Sequence, residues 1–221
     1  MARLPLVDRV RYLRDVARGR RVLHLGCTNH PYTTRSLADG SLLHLKLEEA
    51  AGELWGLDSD AAGLQALADR GFGRLVQADL EGLERVEPPC AFDVIIAGEV
   101  IEHLSNPGLF LTGIRGWMGA ETRLVLTTIN AYCGMRIGSY LLRGRGGRRE
   151  PVHPDHVAYY SYSTIHRLLE RHALAVREFS FYDVGPEHRP SNRFYLNWLN
   201  DVCVRWARQA ADGLIVECTL G

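Results

Sequence analysis

Five short apolar runs punctuate the first 130 residues: RVLHLG (21–26), ELWGLDSD (53–60), RLVQADL (74–80), FDVIIAG (92–98) and RLVLTTIN (123–130). Short apolar runs of this kind, closed by glycine or polar residues, suit strands covered on both faces. Helical segments separate several of them. AAGLQALADRG (61–71) stops at Gly71, and NPGLFLTGIRGWMG (106–119) opens on Asn-Pro, a helix start. RSLADGSLLHLKLEEAAG (35–52) contains helical material broken at Gly40, and Val7–Ala17 reads as an amphipathic helix with its arginines turned outward. Parallel strands need long crossover connections, and the alternation supplies them. The chain is therefore expected to be α/β, a doubly wound and mostly parallel sheet with helices on both faces.

After residue 130 the pattern changes. Residues 131–160, rich in Gly, Arg, His and Tyr, read as an inserted lid. A helix over 161–174, a strand over 175–184, a helix over 192–211 and a last strand over 213–220 then close the sheet, the last strand antiparallel. Tyr195, Trp198, Leu199 and Trp206 of the final helix are expected in the core, or at a homodimer surface if that face is exposed. No repeat or linker divides the chain, so residues 1–221 are expected to form one domain.

Equal numbers of basic and acidic residues give zero formal charge, which argues against nucleic acid as a partner. The five cysteines form no CxxC pair, so neither a zinc ribbon nor a disulfide framework is expected. No signal peptide and no membrane span are expected, which leaves the cytoplasm as the default location.

In such sheets ligands bind beyond the carboxyl ends of the strands, near the switch in strand order. The residues that follow the strands are Gly26 and the loop CTNHP, Asp58, Asp79, and Gly98-Glu99. An acid at the end of the second strand suits a ribose. The GxGxxG fingerprint of dinucleotide sites is incomplete, because Thr28 and Pro31 stand where its second and third glycines belong. Without close backbone approach a pyrophosphate lacks a seat, so a cofactor without phosphates fits better.

VLHLGC, LWGLDSD, VQADLEGL, FDVIIAGEVIEHLSNPGLFL and RLVLTTIN, in this order and spacing, resemble the class I S-adenosylmethionine-dependent methyltransferases over about residues 20–185. The resemblance implies a Rossmann-like seven-stranded sheet and S-adenosylmethionine as cofactor. It also implies that Gly26 and Cys27 lie against the methionine moiety and that Asp58 and Ser59 hold the ribose. Asp79 and Leu80 would take the adenine, and Gly98 and Glu99 would line the methionine side.

Within GEVIEHLSNPG (98–108), Glu99, Glu102 and His103 stand at i, i+3 and i+4. On an α-helix they would share an arc of about 100°. Two carboxylates and an imidazole suit a divalent cation such as Mg or Mn. The pattern resembles the ubiquinone-biosynthesis O-methyltransferases, and the small-RNA 3′-terminal 2′-O-methyltransferases, which add a distant histidine. By that likeness His156 of HPDH (153–156) completes the metal set of Glu99, Glu102, His103 and His156. The alternative is a metal-free pocket in which His103 is the general base with Glu102 beside it.

The lid carries Tyr132, Tyr140, His153, His156, Tyr159 and Tyr160, with Tyr162 just beyond, side chains that suit a sugar or phenolic ring. Arg143, Arg145, Arg148 and Arg149 read as an anion site or as a solvated loop. The layout of GEVIEHLSNPGLFL and HPDHVAYYS looks like bacterial methyltransferases associated with surface glycans. The reading is thus O-methylation of a hydroxyl on a saccharide or other small metabolite. The alternatives are an RNA 3′-end 2′-O-methyltransferase and a non-catalytic binding subunit on the same scaffold.

Overall fold

In a computed structural model of the chain, which describes residues 4–143, 155–185, 189 and 194–221, the five apolar runs become five adjacent strands of one eight-stranded sheet. The strands are β1 (Leu6–Val7), β2 (Arg21–Leu25), β3 (Glu53–Asp58), β4 (Leu75–Gln77), β5 (Val94–Gly98), β6 (Arg123–Ile129), β7 (Leu174–Tyr182) and β8 (Gly213–Leu220). The helices are α1 (Arg9–Ala17), α2 (Thr33–Ala38), α3 (Leu43–Glu48), α4 (Ala61–Ala68), α5 (Pro107–Arg115), α6 (Gly134–Arg143), α7 (Tyr162–Arg171) and α8 (Phe194–Trp206). The order across the sheet is β1-β7-β8-β6-β5-β2-β3-β4, with β8 antiparallel to both neighbours and every other pairing parallel.

The sheet has eight strands where the sequence pattern indicates seven, and the first helix begins at Arg9 rather than Val7. Leu6 and Val7 pair with Phe181 and Tyr182 at the sheet edge. Asp8 then ends the strand and caps α1, its carboxylate accepting the Arg11 N–H at 2.7 Å. A two-residue strand is too short to show a period.

The central strands are apolar on successive residues because both faces are covered. Leu23, Leu25, Ile95, Ala97, Leu124 and Leu126 face one layer, which holds Phe110, Leu111 and Ile114 of α5 with Ile165 and Leu169 of α7. Val22, Val94, Ile96 and Val125 face the other, with Leu13, Val16 and Ala17 of α1 and Leu47 of α3. Removing each of these larger side chains from water contributes roughly 1.5–3 kcal/mol before chain entropy is counted. The α5 and α7 starts are set by Asn106, which caps with Pro107 behind it, and by a Ser161–Thr164 capping box.

The final helix departs from expectation. Its buried stripe is Leu196, Asn200 and Val204, whereas Trp198 and Trp206 are 67% and 82% exposed. Both sides of α8 carry apolar residues, so apolarity alone does not choose the inner face.

Candidate active site

The strand order reverses between β2 and β5, and the residues that follow β2, β3, β4 and β5 come together at that edge. The chain leaves β2 at Gly26, whose φ of 67° lies in the left-handed region. A Cβ there would come within 2.5 Å of Val100 Cγ2. Only glycine keeps this turn open. The loop then folds onto the acid of β3. Asp58 Oδ2 accepts the Thr28 N–H at 3.0 Å and the Thr28 hydroxyl at 2.9 Å, and Oδ1 accepts the Asp60 N–H at 3.0 Å. The loop lacking the usual glycines is thus held by Thr28. Asn29 bonds Ser36 and packs the loop on α2, while His30 Nδ1 lies 3.4 Å from Asp60. Cys27 is fully buried, whereas Ser59 is exposed beside Asp58.

Asp79 is exposed after β4, and its carboxylate accepts the Glu81 N–H at 2.9 Å. Leu80, nearly buried, starts the 3-10 turn Leu80–Arg85. Gly26, Asp58 and Asp79 stand at or just past the carboxyl ends of β2, β3 and β4, so a glycine turn, a strand-end carboxylate and a second acid beside Leu80 lie along one edge of the sheet. Asp58 accepts two hydrogen bonds from Thr28 and one from Asp60, of the roughly four a carboxylate can accept.

Beyond β5 the chain makes a sharp turn. Glu99 has φ 57°, an uncommon conformation for a residue with a side chain. Its N–H bonds Thr127 O at 2.8 Å, its Oε1 accepts the Tyr182 hydroxyl at 2.7 Å, and its Oε2 lies 3.7 Å from Arg9 Nη2. Arg9 also donates from Nε to the Thr127 hydroxyl at 3.0 Å and lies over the Tyr182 ring. A Cβ on Gly98 would meet Leu43 at 2.9 Å and Arg9 at 3.0 Å. Arg9 and Tyr182 therefore belong to this end of the site, and local sequence reasoning misses both. Arg9 is on α1, ninety residues before Glu99, and only the folded sheet brings them together. Burial, reinforced by the Glu99 carboxylate, pushes the Tyr182 hydroxyl well above its ordinary pKa and keeps it a donor.

The expected helix over 99–103 does not form. Ile101–His103 is a three-residue 3-10 turn, and the side chains diverge. Glu102 is fully buried and His103 is exposed. The left-handed residue Glu99 breaks the helical path, so the i, i+3, i+4 rule does not apply. Glu102 Oε2 accepts the Thr128 hydroxyl at 3.0 Å, and Oε1 has no partner among the described residues. Burial and then the nearby Glu99 raise the Glu102 carboxyl to about 7. The Glu102 carbonyl accepts the N–H groups of Val157 and Ala158, which ties the end of the 131–160 segment to this turn.

That tie places His156 over His103, ring centroids 4.6 Å apart and edge to face, with Tyr159 6.5 Å beyond. Tyr160 is buried in the core, whereas Tyr132 is 65% exposed. His153, Arg145, Arg148, Arg149 and the Arg143 side chain lie outside the described residues. Among the described residues no group of three or more His, Cys, Asp or Glu side chains is arranged to hold a metal ion. Glu99 is engaged by Tyr182 and Arg9, Glu102 points inward, and His103 pairs with His156. Of the four expected ligands, only His103 and His156 are brought into contact.

Residues 3–178 match the profile of a family described as a methyltransferase domain. Among solved structures, an S-adenosylmethionine-dependent methyltransferase from Mesorhizobium loti superposes with a TM-score of 0.58 at 14% identity, covering 95% of this chain and 94% of that one. The magnesium protoporphyrin IX methyltransferase of Synechocystis, with bound S-adenosylhomocysteine, gives 0.55 at 15% identity over 96% and 80%. A Haloferax volcanii putative methyltransferase, in complex with the Trm112 activator, gives 0.59 at 14% over 95% and 88%. No curated protein matches the sequence significantly. No helix among the described residues is long and apolar enough to cross a membrane. The fold, its switch-point edge and the family match agree: the chain belongs to the class I S-adenosylmethionine-dependent methyltransferases.

Proposed function

We propose that the enzyme methylates oxygen, on a hydroxyl of a saccharide or other small metabolite, with His103 as general base. The observation that supports this most is the His103–His156 pair, an exposed imidazole backed edge-on by a second one at 4.6 Å. It stands four residues past the Glu99 turn. A hydroxyl must lose its proton as the new carbon–oxygen bond forms, and an imidazole titrates near neutral pH.

Gly26 and Cys27 would seat the methionine backbone, and Asp58 with Ser59 would bind the ribose hydroxyls. Asp79 and Leu80 would take the adenine, with Gly98 and Glu99 beside the methionine chain. Arg9, held by Glu99 and Thr127, supplies a cation at that same end for a carboxylate. When bound, S-adenosylmethionine supplies an electrophilic methyl group on a sulfonium, which departs as a neutral thioether. The chain's own residues align the acceptor, exclude water and receive the proton at His103, an effect dominated by proximity. The segment 131–160 acts as the lid, anchored through the Glu102 carbonyl, with Tyr159 and His156 facing the acceptor.

Methyl transfer from labelled S-adenosylmethionine to a panel of saccharides and small phenols tests this directly. Transfer to an oxygen, lost in His103→Asn while cofactor affinity is kept, supports the reading. Transfer to nitrogen or carbon, or full activity in His103→Asn, overturns it.

A further inference from the structure

The ends of β5, β6, β7 and β8 are in register. Gly98 pairs with Thr127, Ile129 with Gly213, and Gly213 with Tyr182. Asp212 and Asp183, the residues just outside the last of these pairs, therefore share the sheet edge of the Glu99 turn, across β5 from Gly26, Asp58 and Asp79. Each is gripped by a helix. Arg136 of α6 sets Nη2 2.8 Å from Asp212 Oδ1 and donates from Nη1 to the Asp212 carbonyl at 3.0 Å. Asn200 of α8 donates from Nδ2 to both carboxylate oxygens of Asp183, at 2.8 and 3.0 Å. Arg189, itself paired with Asp201, has Nη2 3.7 Å from Asp183 Oδ2. The Asp183, Asp212 and Arg136 side chains keep 22%, 17% and 21% of their surface open. The exposed ring of Tyr132 stands at the same edge, three residues past β6, its N–H donating to the Asn130 side chain at 3.1 Å.

Stability does not explain this cluster. Asn200 is 1% exposed, and its Oδ1 has no partner among the described residues. A buried acceptor left so costs about 1–3 kcal/mol. An ion pair drawn partly out of water returns little net stability, and two apolar side chains would pin α6 to β8 as well. Burial, with Glu99 and Asp183 nearby, holds the Asp212 carboxyl above its ordinary value in spite of Arg136. Polar groups kept together at such a cost mark a functional site.

Carboxylates accept hydrogen bonds, a guanidinium donates them, and a phenol ring offers an apolar face. A sugar ring presents the complement: hydroxyls that both donate and accept, and a C–H face. Charge narrows the choice further. Glu99, Asp183 and Asp212 set three carboxylates against Arg136 and Arg9, so a phosphate or carboxylate on the acceptor would meet like charge. We infer that Asp183 and the Arg136–Asp212 pair, with Tyr132 stacked on the ring, seat the acceptor and select an uncharged saccharide over its phosphorylated or carboxylated forms. The seat's place in catalysis rests on the oxygen transfer proposed above; its charge selectivity is its own.

The test uses methyl glucoside, methyl galactoside and methyl mannoside, each beside its 6-phosphate and its uronate. Labelled methyl transfer gives KM and kcat, and saturation-transfer NMR on the S-adenosylhomocysteine complex reads binding whether or not transfer occurs. An uncharged member should be preferred at least about tenfold over its charged forms. Asp183→Asn should raise the KM for that member about tenfold, with kcat and S-adenosylhomocysteine affinity kept. It should also narrow the gap to the uronate, a change that loss of packing would not produce. Tyr132→Ala, at an exposed position, gives a second variant with KM raised likewise, should the first fail to fold. The seat is overturned if no member binds, if the charged forms are accepted as well as the uncharged one, or if the folded variants leave KM and binding unchanged. Binding with the expected preference but transfer to no oxygen would keep the seat and overturn the oxygen reading instead.

Discussion

The Tyr182 hydroxyl donates a 2.7 Å hydrogen bond to Glu99 Oε1, joining the end of β7 to the turn that follows β5. Both groups are set by the sheet: Tyr182 is 3% exposed, and Glu99 is held in a left-handed conformation by its N–H bond to Thr127. The bond fixes the carboxylate that also faces Arg9, at the end of the site proposed for the methionine chain. Tyr182→Phe should lower stability by about 1–2 kcal/mol and weaken cofactor binding. Chemical denaturation and calorimetric titration of the same variant measure the two effects.

The glycine turn gives a second expectation. In Gly26→Ala the new Cβ must both adopt a positive φ and displace Val100. A loss of roughly 1–3 kcal/mol is expected, with cofactor binding abolished. Adding Val100→Ala removes the collision but not the backbone strain. The double variant should therefore recover part of the stability lost by Gly26→Ala, as read from thermal melts.

Two buried groups oppose each other in pH. Glu102 has its carboxyl raised to about 7, so the folded state keeps a proton that the unfolded chain has lost. Its contribution is present below the unfolded value and is lost as pH rises toward 7. His44 behaves in the opposite sense. It lies on α3 with Nδ1 3.1 Å from His24 Nδ1, and burial lowers it to about 4. Stability is complete above the unfolded histidine value and falls as pH drops toward 4. Each contribution amounts to roughly 2 kcal/mol between pH 7 and 5. Glu102→Gln should remove one side of this balance. It is expected to raise stability at pH 8 by about 1–3 kcal/mol and to leave a clear acid-side decline, measured by denaturation across pH 5 to 8.

The base assignment makes a kinetic prediction. His103→Asn should reduce kcat by about 10²–10⁴-fold with cofactor affinity unchanged. His156→Ala, which removes the ring packed on His103, should reduce it less. Because Glu99 is turned to Tyr182 and Arg9 and Glu102 to Thr128, EDTA is expected to leave the rate unchanged, and a loss of activity in EDTA that Mg or Mn restores would contradict that.

The sheet was legible because its central strands are covered on both faces, which forces apolar residues onto successive positions. Its switch-point edge followed from Gly26, Asp58 and Asp79, which stand at or within two residues of the end of a strand. The turn at Glu99 was not legible. The spacing of Glu99, Glu102 and His103 implies a common face only on an α-helix, and no local signal announces a positive φ at a glutamate. Arg9 and Tyr182 reach Glu99 only through tertiary packing. The sequence left the outward tryptophans of α8 open between core and surface for a related reason: a helix apolar on two sides does not reveal which side meets the sheet. His24, a polar residue inside RVLHLG, carried a signal that could have been used, since a buried imidazole needs a partner and His44 provides it.

The most direct test concerns Asp58, titrated calorimetrically with S-adenosylhomocysteine. Thr28→Val separates the carboxylate's two tasks, because it removes the hydroxyl that Asp58 accepts and leaves the carboxylate itself in place. The account expects wild type and Thr28→Val to bind the ligand and a folded Asp58→Ala to bind it at least about tenfold more weakly. Equal affinity in wild type and folded Asp58→Ala would contradict it.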